Sequence, residues 1–222
     1  VATIVATDVQ GRVEATMAAP KPTVISPTPI TAPPTQNVVD PQRTPTITPV
    51  PEPLSAADIF AAISPSVAVI EAGGGHGSGV LIEGGFIVTN AHVVWPYHEV
   101  EVSFPDGTKY PGTPVKNVDV LRDLAVLGPV TTDLIPVQWA DDNEPAIGDD
   151  VYLLGYPVDQ LGQPTITSGI LSKFREWPAA GMTYLQSDAA VDAGQSGGAL
   201  LSADGRLLGI STFSFGLLAD FV

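Results

Sequence analysis

Three short stretches of the sequence hold residues that can do covalent chemistry. In Ile87-Val88-Thr89-Asn90-Ala91-His92-Val93-Val94 a histidine follows directly on a strand-like run. In Asp119-Val120-Leu121-Arg122-Asp123-Leu124-Ala125-Val126-Leu127 an acid, Asp123, opens a very apolar segment. In Asp192-Ala193-Gly194-Gln195-Ser196-Gly197-Gly198-Ala199-Leu200 a serine sits in a glycine-rich turn before another apolar run. A serine hydroxyl is a poor nucleophile unless a base stands beside it. Imidazole is the base that works near neutral pH. A buried carboxylate can hold that imidazole in the useful tautomer and stabilise its protonated form. The tetrahedral intermediate then needs backbone N–H donors. A glycine two residues before the serine can adopt a backbone conformation that places its N–H beside that of Ser196. One such donor is worth about 3 kcal/mol of barrier. The chemistry implied is acyl transfer, with His92, Asp123 and Ser196 as catalytic residues and Gly194 and Ser196 as oxyanion donors.

Taken singly, each stretch has a plainer explanation. His92 could be structural, Asp123 a turn residue or cap, and the glycines around Ser196 a flexible turn. Their order carries the information. Gly194-Gln195-Ser196-Gly197-Gly198 also fits the Gly-x-Ser-x-Gly elbow of α/β-hydrolases, but those enzymes place the histidine after the serine. No histidine follows Ser196. The order His, Asp, Ser belongs to the chymotrypsin-type arrangement.

The elements that must position these groups read mostly as short strands. Ser55 and Asp58 form a capping-box-like start to a short helix through Ile59, Phe60 and Ile63, which Pro65 stops. Strands are expected over Val67–Ala72, Gly77–Ile82, Phe86–Thr89, Val100–Phe104 and Leu124–Leu127. A second group covers Asp150–Tyr156, Thr165–Phe174, Thr183–Ser187, Gly198–Ser202 and Leu207–Phe213. Short runs bounded by Gly, Pro, Asp and Asn indicate an all-β sandwich or barrel. A long connection, Thr131 to Gly148, separates the groups.

Residues 1–53 differ in kind. They hold 11 of the 22 prolines, and Val24–Pro53 runs in Thr-Pro and Pro-Thr steps. Such a tract is a semi-rigid spacer with too few large side chains for a core. Ahead of it Val1, Val5, Val9, Val13 and Met17 recur every four residues, the spacing of one weak helix or the end of an anchor segment, with Gly11 against the helix. The expected division is therefore a largely disordered linker or stalk over 1–53 and a globular domain over 54–222.

Composition narrows the function classes. Among 222 residues, 44% are apolar and 15% charged, enough for a sizeable core. Nine basic against 24 acidic residues give a net charge of −15, which repels phosphate backbones and anionic lipid, so nucleic acid is not an expected partner. There is no cysteine and there are only three histidines, so no disulfide, no thiolate chemistry and no metal site is expected. His76, in a glycine-rich loop, and His98, after Pro96-Tyr97, read as solvated surface residues. No apolar run is long enough to span a bilayer. The first residue is Val1, so an export signal or anchor upstream is expected.

These motifs together resemble trypsin-like serine proteases, and within them the bacterial HtrA/Deg branch. The residues that carry the resemblance are Gly77-Ser78-Gly79-Val80, Thr89-Asn90-Ala91-His92-Val93-Val94, Asp123-Leu124-Ala125-Val126-Leu127, Gly148-Asp149, Gly155-Tyr156-Pro157, Thr167-Ser168-Gly169-Ile170, Ser187-Asp188-Ala189-Ala190 and Gly194-Gln195-Ser196-Gly197-Gly198. The resemblance implies two perpendicular six-stranded β-barrels, at about 66–135 and 146–222, with the site in the cleft between them. Three departures stand out. Gln195 replaces the usual Asn, and Ala199 the usual Pro. Only Gly216–Val222 remain after Phe215, where one more strand is needed, so the last strand is expected to be short or to lie outside the chain. No PDZ domain is expected within these 222 residues.

The implied function is serine endopeptidase action on exported or misfolded proteins, without metal or organic cofactor. It would act outside the cytoplasm: secreted, periplasmic, or tethered through a segment upstream of residue 1. A homo-oligomer is compatible with this reading. The alternative is a protease-like binding or sensing module with little turnover, suggested by Gln195, Ala199 and the short C-terminal end. By the resemblance, Ala190 lies at the base of the primary pocket and Thr212, Phe213 and Ser214 line its wall. An uncharged Ala190 implies cleavage after Val, Ala, Ile or Leu.

Overall fold

The structure is a computed structural model that describes residues 54–140, 145–158 and 162–212, together with the backbone of residues 3–7. The spacer expected over Val24–Pro53 lies outside the described residues. Strand β1 is Thr3–Thr7; helix α1, Ala56–Ile63, follows. The helix starts as its sequence demands: the Ser55 hydroxyl accepts the Asp58 N–H, and a short 3-10 turn with Pro65 at its start ends the element.

The first barrel contains β2 (Val67–Ala72), β3 (Gly75–Ile82), β4 (Phe86–Thr89), β5 (Glu99–Ser103), β6 (Lys109–Asp119) and β7 (Leu124–Leu127), with the short helix α2 (Ala91–Val94) between β4 and β5. It closes in the order β2-β3-β4-β7-β6-β5. The second contains β8 (Asp150–Gly155), β9 (Thr165–Trp177), β10 (Met182–Ser187), β11 (Ala199–Ser202) and β12 (Leu207–Thr212). It closes with β1 in the order β1-β10-β9-β8-β11-β12. Every strand pair is antiparallel.

Alternation along the strands explains how the barrels are joined. In β2, Ala68 and Ile70 pack inside the first barrel with Leu81, Ile87 and Leu127. Their neighbours Val67 and Val69 face the other way and pack with Leu154, Tyr156, Ala199, Leu201 and Ile210 of the second barrel. Both faces are covered, so the run reads as continuously apolar. A third cluster, including Val151, Leu153, Leu171, Leu185 and Leu200, fills the second barrel.

Two elements depart from expectation. The first is β6, which the pattern hid because Pro111, Gly112 and Pro114 break it. Between the pairs Val102↔Tyr110 and Val100↔Thr113 the register shifts, so Pro111 and Gly112 together oppose Glu101. This is a bulge, with Gly112 at φ +68, and a bulge accommodates residues that a regular ladder rejects. The second is β1. Thr3–Thr7 lies in one unit with the globular part of the chain, and it is a strand where the four-residue spacing suggested one weak helix or the end of an anchor segment. Its sequence, Thr-Ile-Val-Ala-Thr, is rich in β-branched residues. It pairs on one side with β10 and on the other with β12. Without it both strands would present unpaired backbone edges. The sixth strand of the second barrel is therefore supplied from the N-terminal side, where one after Phe215 was expected.

Candidate active site

The three stretches singled out by chemistry meet where the barrels meet. His92 is carried by α2, directly after β4. Asn90 precedes that helix, yet its side chain does not cap it; the amide instead donates to the Asp123 carbonyl at 2.9 Å. Asp123 sits immediately before β7 with φ +55, the one non-glycine residue with positive φ among those described. Such a conformation costs energy for any β-carbon residue and is least unfavourable for Asp and Asn. Here it directs the carboxylate back at α2. Asp123 Oδ1 accepts the His92 backbone N–H at 2.9 Å, and Oδ2 lies 2.8 Å from His92 Nδ1. A third donor, the Thr212 hydroxyl, reaches Oδ2 at 2.9 Å. The carboxylate thus binds the helix and the imidazole at once, and the ring can turn only about a fixed hinge.

Tyr184 packs nearby on β10 and is 5% exposed. Burial, with the Asp123 charge adding to it, pushes its phenol up to about 12. It therefore stays neutral across the working range and adds no second negative charge beside Asp123.

Ser196 is 8% exposed and lies with His92 along one recess. No hydrogen bond joins the two side chains in this structure. Catalytic contacts in free enzymes are often longer than in the substrate complex. Gly194 has φ +92, the conformation reserved for glycine. The Ala193 carbonyl ahead of it is held by the Val158 N–H at 2.9 Å. The carbonyl and the next N–H of one planar peptide point in opposite directions, so this bond aims the Gly194 N–H away from Val158. Neither the Gly194 nor the Ser196 N–H donates to any described residue. Both are available to an oxyanion.

The loop is held from below by side chains to which the sequence reading assigned no role. Gln195 is fully buried. Its Oε1 accepts the Asp192 N–H at 2.7 Å, and its Nε2 donates to the Thr165 hydroxyl at 2.8 Å. Gln195 in place of Asn is thus satisfied at both ends. Ser78, on β3, joins the barrels. Its hydroxyl donates to the Gly194 carbonyl at 3.0 Å and accepts the Tyr156 N–H at 2.9 Å. Its backbone N–H donates to the Ser196 carbonyl at 2.7 Å. The Gly77-Ser78-Gly79 motif was the available signal, but its partners lie too far along the chain to be read from it. Ser78→Ala would strand a buried donor and a buried acceptor. The expected loss is about 2–4 kcal/mol of stability, read from a denaturant midpoint, and an unchanged midpoint would show that the clasp carries no energy.

The remaining expected residues are placed as follows. Ala190 is exposed, and its carbonyl accepts the Thr167 hydroxyl at 2.7 Å. Thr212 turns its hydroxyl to Asp123. Phe213 and Ser214 lie outside the described residues. The Asp188 carboxylate is anchored to β9 by the Ile170 N–H at 2.7 Å. His76, expected in solvent, has Nε2 buried without a hydrogen-bond partner among the described residues. Among the described residues no group of three or more His, Asp or Glu side chains could hold a metal ion, and no helix is long and apolar enough to cross a membrane.

This arrangement is found in known proteins. The sequence model of the trypsin-like peptidase domain matches residues 77–210. Serine endoprotease DegS of Salmonella typhimurium is 40% identical over 144 residues, covering 63% of this chain and 40% of that protein. The mitochondrial serine protease HTRA2 of Bos taurus is 35% identical over 178 residues, covering 70% of this chain and 38% of that protein. Among solved structures, the serine endoprotease from Yersinia pestis superposes with a TM-score of 0.64 at 34% identity, covering 73% of this chain and 59% of that one. The HtrA-type protease AlgW with a tripeptide gives the same TM-score at 30% identity, covering 71% and 54%. The chain spans about two fifths of the length of these curated relatives. With the paired barrels, the His92–Asp123 contact and the Gly194–Gly198 loop on one recess, the chain belongs to the trypsin-like peptidase family, in its HtrA branch.

Proposed function

We propose that the protein hydrolyses internal peptide bonds of polypeptides through an acyl-enzyme formed on Ser196. The carrying observation is Asp123, which holds His92 Nδ1 at 2.8 Å and so leaves Nε2 as the free, proton-accepting nitrogen beside the serine. In this route His92 takes the Ser196 proton as Oγ attacks the scissile carbonyl. The oxyanion is met by the Gly194 and Ser196 N–H groups. His92 then gives its proton to the leaving amine, the C–N bond breaks, and the amine half departs. Water, activated by the same imidazole, attacks the ester, and the collapse returns Ser196 with its proton. Metal and organic cofactors have no part in these steps.

A fluorophosphonate probe tests the reading, since it labels only a competent nucleophile. Labelling of Ser196, together with cleavage of unfolded casein that Ser196→Ala abolishes, is the expected outcome. Absence of both would favour a binding module with little turnover. Several relatives are named periplasmic, among them the DegP-like endoprotease of Chlamydia pneumoniae at 35% identity. By that likeness, and with the acidic, cysteine-free composition allowing it, the working place of this chain is outside the cytoplasm, on exported or misfolded proteins.

Primary specificity follows from what stands near Ala190. It carries no charge; of the two acids that stand two residues away in sequence, Asp188 is engaged with β9 and Asp192 is exposed. A buried Lys or Arg side chain would find no partner. Cleavage is expected after Val, Ala, Ile or Leu, with modest discrimination, because one methylene is worth about 1–3 kcal/mol in an apolar pocket. Peptide-library profiling reads this directly, and a dominant Lys or Arg preference would overturn it.

A further inference from the structure

We propose that Ser211 is a positioning residue for the reaction: its hydroxyl aims the Ser196 N–H at the oxyanion and strengthens it as a donor. The inference rests on the endopeptidase reading above and concerns a residue to which that reading gives no part.

Ser211 stands on β12 and is fully buried. Its hydroxyl donates to the Gln195 carbonyl at 2.6 Å. That carbonyl and the Ser196 N–H are the two ends of one planar peptide and point in opposite directions. A donor that fixes the carbonyl therefore fixes the direction of the N–H, which itself donates to no described residue. The Gln195 side chain does not do this. Its bonds to Asp192 and Thr165 hold the residue but leave the plane of the next peptide to be set by other contacts. A second donor, the Gly198 N–H, reaches the same carbonyl at 3.0 Å. That bond lies within the turn and moves with it, whereas Ser211 brings a contact from a strand outside.

The backbone of the same residue braces the rest of the turn. The Ser211 carbonyl accepts the Gly197 N–H at 2.8 Å, and the Ser211 N–H donates to the Gly198 carbonyl at 2.8 Å. Strand β3 backs the turn as closely, since a β-carbon on Gly197 would stand 2.0 Å from the Ser78 carbonyl. The next residue, Thr212, points to the other face of β12, as alternation along a strand requires, and gives its hydroxyl to Asp123. One short piece of β12 thus spaces the nucleophile loop from the acid that orients His92.

The second effect is electronic. A hydrogen bond to a carbonyl polarises its peptide and makes the N–H at the other end a better donor, by about 10–30% per bond in such chains. Here the chain runs from the Ser211 hydroxyl through one peptide to the oxyanion. It is worth most once negative charge has developed there, so it lowers the barrier more than it tightens the substrate. Loss of the Ser211 hydroxyl should therefore appear in kcat and not in KM.

Ser211→Ala deletes the hydroxyl and leaves every backbone bond. Active sites are counted by fluorophosphonate titration run to completion, so the rates refer to competent enzyme. On an internally quenched peptide, kcat per titrated site is expected to fall about tenfold with KM little changed. This is part of the roughly 10²–10³-fold lost when an oxyanion donor is removed outright. A peptide aldehyde ending in valine forms a tetrahedral adduct whose oxygen needs the same N–H groups, and its Ki should rise by the factor by which kcat/KM falls. Ser211→Thr keeps a hydroxyl and should recover most of the rate. Ser211→Cys fills the same space with a weak donor and should behave as Ser211→Ala, which keeps the test decisive even where the threonine variant does not fold. A residue that only supports the fold would lower the number of titrated sites or the melting temperature and leave kcat per site unaltered. That result, a loss confined to KM, or a full rate in Ser211→Cys would overturn the inference and leave the endopeptidase reading standing. Cleavage no greater in the wild type than in Ser196→Ala would remove both.

Discussion

Ser196→Ala is expected to lower kcat on a polypeptide substrate by about 10⁶-fold while leaving the fold intact. The size follows from the proposed route. Without Oγ there is no acyl-enzyme, and His92 and Asp123 have no nucleophile to serve. Residues that act as one unit lose their effect together, so single and multiple replacements cost about the same. His92→Ala added to Ser196→Ala should therefore change little. The residual rate would rest on the Gly194 and Ser196 N–H groups, worth about 10³–10⁴ over water. Stability should change little, since the lost atom is one hydroxyl with no partner among the described contacts, and Ser196 keeps its backbone bond to Ser78. The measurement is kcat on a quenched peptide beside a thermal melt. A loss under tenfold with an unchanged melt would mean that another group is the nucleophile.

The second large effect is expected at Asp123. Asp123→Asn should reduce kcat by about 10⁴-fold. Asparagine is close to aspartate in shape and tolerates the left-handed backbone at φ +55, so the variant should fold. Its amide cannot reproduce the carboxylate. With its NH₂ at the Oδ1 position, it would face the His92 backbone N–H, donor against donor. With its NH₂ at the Oδ2 position, it would donate to His92 Nδ1, and the ring proton would move to Nε2, the nitrogen that must accept from Ser196. The first placement loses the backbone contact to α2, and the second disables the base. Thr212→Val should cost much less, because it removes one of three hydrogen bonds to the carboxylate and leaves the charge. Steady-state kinetics on all three enzymes checks the ordering. Equal losses in Asp123→Asn and Thr212→Val would mean that the acid acts by position alone, not through the tautomer.

How much of this was legible beforehand depends on the distance over which each feature is decided. The strands around the site were readable because alternation is local: Val67–Ala72, Phe86–Thr89 and Leu124–Leu127 have the bounds that the pattern suggested. The same holds for the Ser55 cap and the short helix after it. The residues proposed for the reaction each sit in their own signature, a histidine after a strand, an acid before one, and a serine among glycines. Their order along the chain distinguished one family of arrangements from another. Strand β6 was hidden by its prolines, since a bulge that accommodates them is defined by the partner strand and not by β6 itself. Strand β1 was hidden because its partners, β10 and β12, lie more than 170 residues away.

The sequence by itself pointed to the proposed reaction class and to the three residues proposed for it, and determined the all-β architecture. All of these are written in residue types and short spacings. Only the tertiary structure decided which polar atoms serve that chemistry. Ser78 meets Gly194 across 116 residues and Tyr156 across 78, and Thr212 meets Asp123 across 89. His76 has a buried nitrogen because Gly194, from the other barrel, packs against it. A hydroxyl or an imidazole carries no mark of its partner in the residues beside it. Its partner is set when two closed barrels press their outer faces together, and that packing is fixed by the whole apolar pattern of both.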